Sequence, residues 1–271
     1  MTNIIYDVSF PKLGLNFKIN PIAFDFGNIN IRWYGVIIAI GFLTGFLYVN
    51  SRSKKFGVTN SNLLDFIIWP TFLGIIFARI YYVIFYPGDF YIKNPEKIFM
   101  INEGGIAIYG AIFGGIIGIL LVSKIKKENA LKVLDLLSFG VIIGQCIGRW
   151  GNFVNQEAFG SETDFILGMA SQSTNFVAVH PCFLYESFGC FLIFWAMHFY
   201  SLNKKVREKS GNIFALYLIL YSVLRFFIES LRTDSLMLPF TFIKISQLIS
   251  VLGILIAIGI FYKNKRKLSQ N

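Results

Sequence analysis

Seven long apolar stretches constrain the fold of this chain more than any other feature. A helix needs about 20 residues to cross a bilayer core of about 30 Å, and each stretch is close to that length. The composition agrees that the surrounding medium is lipid, since 55% of the residues are hydrophobic and only 15% are charged. We therefore predict an all-α polytopic membrane protein with seven transmembrane helices, forming a single integral membrane domain over residues 1–271. The predicted spans are residues 33–49, 63–86, 105–122, 133–150, 182–200, 213–231 and 242–262.

The lysine and arginine residues of the connecting loops indicate the orientation. Clusters of them follow the first, third, fifth and seventh spans, which places all of them on one side of the membrane. By the positive-inside rule that side is the cytoplasm, so the N-terminus lies outside and the C-terminus inside. The loop of residues 153–181 has no Lys or Arg and carries Glu157, Glu162 and Asp164, as expected of an exported loop. The net charge of +10 thus reflects the basic cytoplasmic loops. The sequence lacks the aromatic platform of a nucleic-acid site, so no nucleic-acid partner is predicted.

The segment before the first span, residues 1–30, lacks the continuous apolar core of a cleavable signal peptide. Phe24 and Phe26 alternate with Asp25 and Gly27, a pattern that favours an amphipathic segment lying on the outer surface of the membrane. The three cysteines and two histidines of the chain show no metal-binding or redox spacing. We therefore predict no metal and no cofactor.

A glycine-punctuated polar cluster, GRWGNFVNQEAFG, occupies residues 148–160 at the outer end of the fourth span. Ionisable and amide side chains at a membrane helix are costly and are functional by default. Arg149 and Asn152 lie three residues apart and share a helix face, whereas Asn155 and Glu157 are not expected to continue it. The pattern predicts a helix that breaks near Asn152 and a chain that folds back over its end. The resulting pocket would hold one fixed cation, several hydrogen-bond donors and one carboxylate.

The sixth span carries a second charged group, because Arg225, Glu229 and Arg232 at i, i+4 and i+7 form one helical stripe. In one interpretation Arg225 and Glu229 merely pair to lower their burial cost, while Arg232 extends towards the interface. In the other interpretation, the two cations and one anion of the stripe give a net positive charge, and Arg149 adds a further positive charge at the same membrane face. Arginine suits bidentate phosphate recognition, so the second interpretation predicts an anionic ligand, most simply a phospholipid head group.

Two further positions have open interpretations. Arg79, near the outer end of the second span, either extends to the interface or has a functional role. Glycines recur every four residues in the third and fourth spans, a spacing typical of close helix packing. Packing of these two spans against each other would bring Tyr109 beside Arg149.

Together these residues resemble the bacterial prolipoprotein diacylglyceryl transferases. The most specific mark of that family, Gly-Arg-x-Gly-Asn-Phe-x-Asn-x-Glu-x-x-Gly, is complete in residues 148–160. The resemblance covers nearly the whole chain and includes PIAF (21–24), IRWYG (31–35), ARIYY (78–82), EGGIAIYG (103–110), HP and LYE (180–186) and LRFFIESLR (224–232).

What the resemblance implies is an enzyme of the bacterial cytoplasmic (inner) membrane with its active site towards the outer leaflet. It would transfer the diacylglyceryl group of phosphatidylglycerol, a membrane lipid, to the lipobox cysteine of a prolipoprotein, forming a thioether and releasing glycerol 1-phosphate. By the same resemblance Arg149 and Arg225 are essential for phosphate binding and catalysis, and Tyr109 and Glu157 join them as catalytic residues. Residues expected to bind phosphatidylglycerol are Arg149, Asn152, Asn155, Gly160, Tyr34, Glu229 and Arg232.

Tyr109 is a departure, since some members of the family have a histidine there that is regarded as a candidate general base. A phenol is a poor base near neutral pH. Its hydroxyl could instead orient the thiol or a lipid oxygen, which leaves thiol activation to the positive field or to Glu157. Two other classes of protein also hold arginines at a membrane face. One is a non-catalytic phospholipid-binding protein; the other is a transporter, which would be expected to show paired halves with interrupted helices.

Overall fold

The computed structural model describes residues 5–27, 30–100, 104–235, 237 and 243–268. Within them, seven helices are long and apolar enough to cross a membrane, which confirms the all-α polytopic fold. These helices are α1 (Trp33–Arg52), α2 (Asn60–Ile84), α4 (Ile108–Lys126), α5 (Ala130–Asn155), α6 (Cys182–Tyr200), α8 (Asn212–Leu231) and α9 (Ile245–Leu268); two short helices, α3 (Phe90–Lys93) and α7 (Lys204–Glu208), lie in connecting segments.

The predicted break of the fourth span near Asn152 is wrong by one turn, because α5 continues to Asn155. Polar side chains do not end a helix when they find partners, and both Asn152 and Asn155 donate to the Glu157 carboxylate. The backbone ends the helix instead, through positive φ angles of 51° at Gln156 and 58° at Ala158. At the other end of the chain, Phe242, the predicted start of the seventh span, lies outside the described residues, and α9 begins at Ile245.

The segment before α1 forms strands. Strands β1 (Tyr6–Phe10) and β2 (Leu15–Ile19) are antiparallel, and β5 (Ala170–Ser171) pairs with the other edge of β1; β3 (Ile22–Asp25) pairs with β4 (Asn30–Arg32).

Alternating side chains of β1 point into a small core. Val8 and Phe10 are buried there with Met169 and Phe183, so the segment before α1 is fastened to the loop that follows α5. The expected position of residues 1–30 on the outer surface stays a prediction, and residues 1–4 and 28–29 lie outside the described part of the chain.

The chain forms two compact units, one of Met1–Val49 with Leu137–Asn271 and one of Asn50–Leu136. In the second unit the glycine stripe of α4 packs against α2: a Cβ added at Gly114 would lie 2.5 Å from the Leu73 carbonyl oxygen. In the first unit a Cβ at Gly45 of α1 would lie 2.8 Å from the carbonyl oxygen of Gly140 in α5. Close helix packing by these glycines is therefore confirmed, for α4 against α2 and for α5 against α1; the packing of the third span against the fourth stays a prediction.

Candidate functional site

The centre of the candidate site is a buried carboxylate that joins two arginines. Glu186 on α6 is 1% exposed; its Oε1 accepts a hydrogen bond of 2.7 Å from Arg149, and its Oε2 accepts one of 2.9 Å from Arg225. The Tyr221 hydroxyl donates to Oε1 at 3.0 Å. A buried charge needs such partners to offset its desolvation. Glu186 thus fixes the separation of two guanidinium groups that belong to α5 and α8.

Arg225 lies between two buried carboxylates. Its second terminal nitrogen donates to Glu229 Oε2 at 2.5 Å, and Glu229 is also 1% exposed. The pairing of Arg225 with Glu229 expected under the first interpretation of the stripe is therefore confirmed. We refer to Arg149, Glu186, Arg225 and Glu229 as the arginine–carboxylate cluster.

Arg232, the second cation of the stripe, follows the last residue of α8 and binds the Asp234 carboxylate through two hydrogen bonds of 2.9 and 2.7 Å. These bonds hold the pKa of Asp234 below its usual value, against the opposing effect of partial burial. Because the pKa of Asp234 is lower in the folded protein than in the unfolded chain, the ion pair stabilises the fold at any pH above the ordinary pKa. This stabilisation is lost as the pH falls through the lowered pKa of the folded state.

Each of the three arginines has a carboxylate partner, and two of these carboxylates, Glu186 and Asp234, lie outside the stripe and the 148–160 segment. The expected net positive charge is therefore not found among the arginines and their partners. The cluster still has hydrogen-bonding capacity. Arg149 donates to Asn152 and Glu186, and Arg225 to Glu186 and Glu229; since a guanidinium has five N–H groups, both arginines keep capacity for a further acceptor. Their side chains are 22% and 16% exposed. The two arginines and two carboxylates of the arginine–carboxylate cluster thus balance in charge, and neither guanidinium group is fully buried.

A chain of hydrogen bonds continues from Arg149 into the segment after α5. Arg149 donates to Asn152 Oδ1 at 3.1 Å, and the amide nitrogens of Asn152 and Asn155 donate to Glu157 Oε1 at 2.9 and 3.4 Å. The backbone N–H of Glu157 donates to the Asn152 carbonyl at 3.1 Å. The chain therefore folds back over the helix end as predicted, starting after Asn155.

Gly160 lies in close contact with His180 and Leu231, which leave no space for a side chain at this position. Its N–H donates to the His180 carbonyl, and it forms a bridge with Arg232, while the neighbouring Ser161 N–H donates to the Leu231 carbonyl. A Cβ at Gly160 would lie 2.8 Å from His180 Cβ and 3.0 Å from the Leu231 carbonyl oxygen. The absence of a side chain at Gly160 thus lets the 148–160 segment approach the end of α8.

Tyr34, at the start of α1, is held against α5. A Cβ added at Gly151 would lie 2.7 Å from Tyr34 Cδ2, so the tyrosine ring covers the bare backbone between Arg149 and Asn152. The missing side chain of Gly151 therefore makes room for Tyr34 next to the polar cluster.

Arg79 makes a set of backbone contacts that neither of its two open interpretations included. Arg79 is buried and its three nitrogens donate to carbonyl oxygens of the segment between α2 and α4, which leaves it no N–H group for an anion. The acceptors are the carbonyl oxygens of Lys97, Ile98, Met100, Gly104 and Gly105.

The same loop leads into the first turn of α4, where Tyr109 lies with its ring 6.4 Å from that of Tyr81. Arg79 therefore orders the entry to α4 in the second unit. Tyr109 is in that unit and Arg149 in the first, and their proximity stays a prediction. Glu103 lies outside the described residues.

Glu186 is the main residue that sequence reasoning missed. It appeared only as the end of the LYE motif, although a carboxylate inside an apolar span is itself a signal of function. Its partners lie on α5 and α8, so no pattern within its own helix revealed the pairing. Tyr221 carried a weaker signal, since it precedes Arg225 by four residues and shares its helix face.

Comparisons with known proteins find relatives over nearly the whole chain. The family model described as prolipoprotein diacylglyceryl transferase matches residues 21–263. A Finegoldia magna protein named phosphatidylglycerol–prolipoprotein diacylglyceryl transferase is 39% identical over 247 residues, which cover 91% of this chain and 96% of the relative. Proteins of the same name are 43% identical over 255 residues in Staphylococcus xylosus (91% of this chain, 89% of the relative) and 40% over 267 residues in Staphylococcus aureus strain MSSA476 (94% and 93%).

Proposed function

The chain belongs to the prolipoprotein diacylglyceryl transferase family, and on that premise we propose how its residues carry out the transfer. The enzyme is a multi-pass membrane protein that moves the diacylglyceryl group of phosphatidylglycerol to a prolipoprotein. The acceptor is the thiol of the lipobox cysteine. Its sulfur forms a bond to the glyceryl carbon as the carbon–oxygen bond to phosphate breaks. The products are a thioether and glycerol 1-phosphate.

The observation that supports this mechanism best is the pair of arginines bridged by Glu186. In our proposal the open N–H groups of Arg149 and Arg225 bind the phosphate of phosphatidylglycerol. The leaving phosphate takes up the electron pair of the broken bond, and donors arranged in advance stabilise that charge without reorganisation. Glu186 is a positioning residue, since it is buried and holds both guanidinium groups.

The remaining predicted residues support the pair. Asn152 and Asn155 orient Glu157, and Tyr34 packs over Gly151 at the edge of the lipid site. Glu229, Arg232 and Gly160 act at the end of α8: Glu229 orients Arg225, Arg232 adds a cation beside the phosphate, and Gly160 permits the close approach.

The thiol must lose its proton, because the thiolate is the nucleophilic form. Glu157 is one candidate acceptor, as its carboxylate is exposed and hydrogen-bonded only by amides among the described side chains. Tyr109 is the other candidate group, acting as a base or by orienting the sulfur.

Substitution of Tyr109 separates its two roles. If the hydroxyl orients a substrate, Tyr109→Phe keeps the ring packing on Tyr81 and lowers kcat by a modest factor. If Tyr109 is the sole general base, the loss approaches the roughly 10²–10⁴-fold typical of such a group. Tyr109→His is expected to retain substantial activity with a lower pH optimum, because imidazole titrates near pH 6.5. An inactive His variant together with a fully active Phe variant would mean that position 109 contributes only the packing of an aromatic ring.

In our proposal the site lies in the bacterial cytoplasmic membrane towards its outer leaflet, as the basic loops on one side of the chain predict. This is tested by a reporter fused after the last span and a protease-sensitive tag inserted within residues 161–174. We expect the reporter in the cytoplasm and the tag cleaved by external protease in spheroplasts. A protected tag with an exported reporter would contradict this orientation.

The reaction itself is tested by incubating the purified protein with phosphatidylglycerol and a lipobox peptide. We expect release of glycerol 1-phosphate in equal amounts with a peptide whose mass has increased by the diacylglyceryl group, and no product from a peptide with Ser in place of the lipobox Cys. Binding of phosphatidylglycerol without turnover would instead indicate a lipid-binding protein. Movement of lipid between leaflets without peptide modification would indicate a transporter.

A further inference from the structure

Lys244, just before α9, caps the end of α8. The last carbonyls of a helix have no partner within it and need one from elsewhere. The Lys244 ammonium donates to the Glu229 carbonyl at 2.6 Å and to the Arg232 carbonyl at 2.9 Å. The positive charge of the ammonium also interacts favourably with the negative C-terminal end of the helix dipole. Lys244 therefore fixes the backbone at the last turn of α8.

Both carbonyls belong to residues whose side chains carry charges of the site. The Glu229 carboxylate orients Arg225, and Arg232 carries the guanidinium bound to Asp234. A shift of this backbone would move the partner of Arg225 and the whole of Arg232 together. Lys244 also differs from the three arginines, since no carboxylate in the described ranges forms an ion pair with it and its charge is met by carbonyl oxygens.

We propose that Lys244 is a positioning residue for the phosphate-binding arginines, acting through the backbone of Glu229 and Arg232. The proposal rests on the phosphate-binding role given above to Arg225 and Arg232. It assigns to the last transmembrane helix a part in the reaction, although α9 supplies none of the cluster side chains.

The same pair of helices offers a matched control. Near its far end, Asn264 of α9 donates to Asn212 Oδ1 at 2.8 Å and to the Ser210 carbonyl at 3.1 Å. This contact also joins α9 to the α8 region, but it lies at the opposite end of α8 from the arginines. Asn264→Ala therefore weakens the helix pair without touching the site.

The test compares Lys244→Met, Lys244→Arg and Asn264→Ala in the full-length enzyme in lipid nanodiscs. We expect Lys244→Met to lower kcat/KM for phosphatidylglycerol by about ten- to a hundredfold, because the unpaired carbonyls let the helix end relax. Lys244→Arg should restore most of that loss, since it keeps the charge and the donors. Asn264→Ala should stay within about twofold of the wild type, even where its thermal stability falls.

A second readout separates this proposal from the reaction it rests on. Binding of phosphatidylglycerol, measured without peptide, should weaken in Lys244→Met and recover in Lys244→Arg, and this comparison holds whether or not turnover occurs. Failure of the proposed function would show in the wild type, as absence of glycerol 1-phosphate.

Several outcomes would overturn the role of Lys244. These are wild-type kcat/KM and lipid binding in Lys244→Met, an Arg variant as impaired as the Met variant, or an equal loss in Asn264→Ala. Should the Met variant fail to insert, Lys244→Gln keeps an N–H donor without the charge. It is expected to insert with weaker lipid binding, and unchanged binding and activity in that variant would count against the proposal.

Discussion

Arg225→Ala is expected to lower kcat/KM for phosphatidylglycerol by more than about a hundredfold, and Arg149→Lys by about ten- to a hundredfold. The lysine keeps the charge but loses the planar fork, which costs at least one charge-assisted hydrogen bond of about 1.5–3 kcal/mol. Loss of Arg225 is more severe, because its guanidinium is bonded to both Glu186 and Glu229. Removing it leaves Glu229 without its ion-pair partner and Glu186 with Arg149 alone.

The measurement is the rate of glycerol 1-phosphate release at several phosphatidylglycerol concentrations, with the amount of inserted protein determined in parallel. Arg266→Ala is the control, since that guanidinium lies over the Tyr262 ring at 5.2 Å in α9 and belongs to no part of the cluster. Its activity should equal that of the wild type. An Arg149→Lys or Arg225→Ala protein that inserts normally and transfers at the wild-type rate would refute the phosphate-binding role.

The sequence predicted the helices well, because crossing lipid imposes a length and a composition that few other folds share. The span of residues 182–200 coincides with α6, and that of 213–231 with all but the first residue of α8. The N-terminal segment was harder to predict. Strands as short as β1 and β3 give only a few alternating residues, and their pairing depends on distant partners such as β5.

The candidate site was predicted in part, for a related reason. Arg149 with Asn152, and Arg225 with Glu229, are neighbours along one helix, so their spacing alone predicted a shared face. Glu186 pairs only across helices, and periodicity carries no information on which helix faces which. The charges of single helices therefore predicted a net positive charge, whereas the positive and negative charges of the folded cluster are equal in number. Arg79 shows the same limit, because its carbonyl acceptors lie 18 to 26 residues further along the chain, in the segment between α2 and α4.

Glu186 carries the other large expected effect. Glu186→Ala should lower the free energy of unfolding by about 3–5 kcal/mol, the usual cost of removing one partner of a buried ion pair. The reason is that Arg149 and Arg225 would then face each other with no carboxylate between them. Glu186→Gln keeps the shape and one acceptor oxygen, so it should lose less stability. It should still lose activity by at least about tenfold, because one amide oxygen cannot hold two guanidinium groups in register.

Thermal unfolding in detergent and the glycerol 1-phosphate assay together check this expectation. Asp65→Asn provides a contrast, since it removes a carboxylate from a partly exposed pair with Lys126, at 2.5 Å, in the other compact unit. A pair of that kind contributes about 0–1 kcal/mol, so stability and activity should change little. If Glu186→Gln were fully active and Glu186→Ala as stable as Asp65→Asn, the bridge would have no part in placing the arginines. The two guanidinium groups would then have to be held by Asn152 and Glu229, their remaining partners in the described chain.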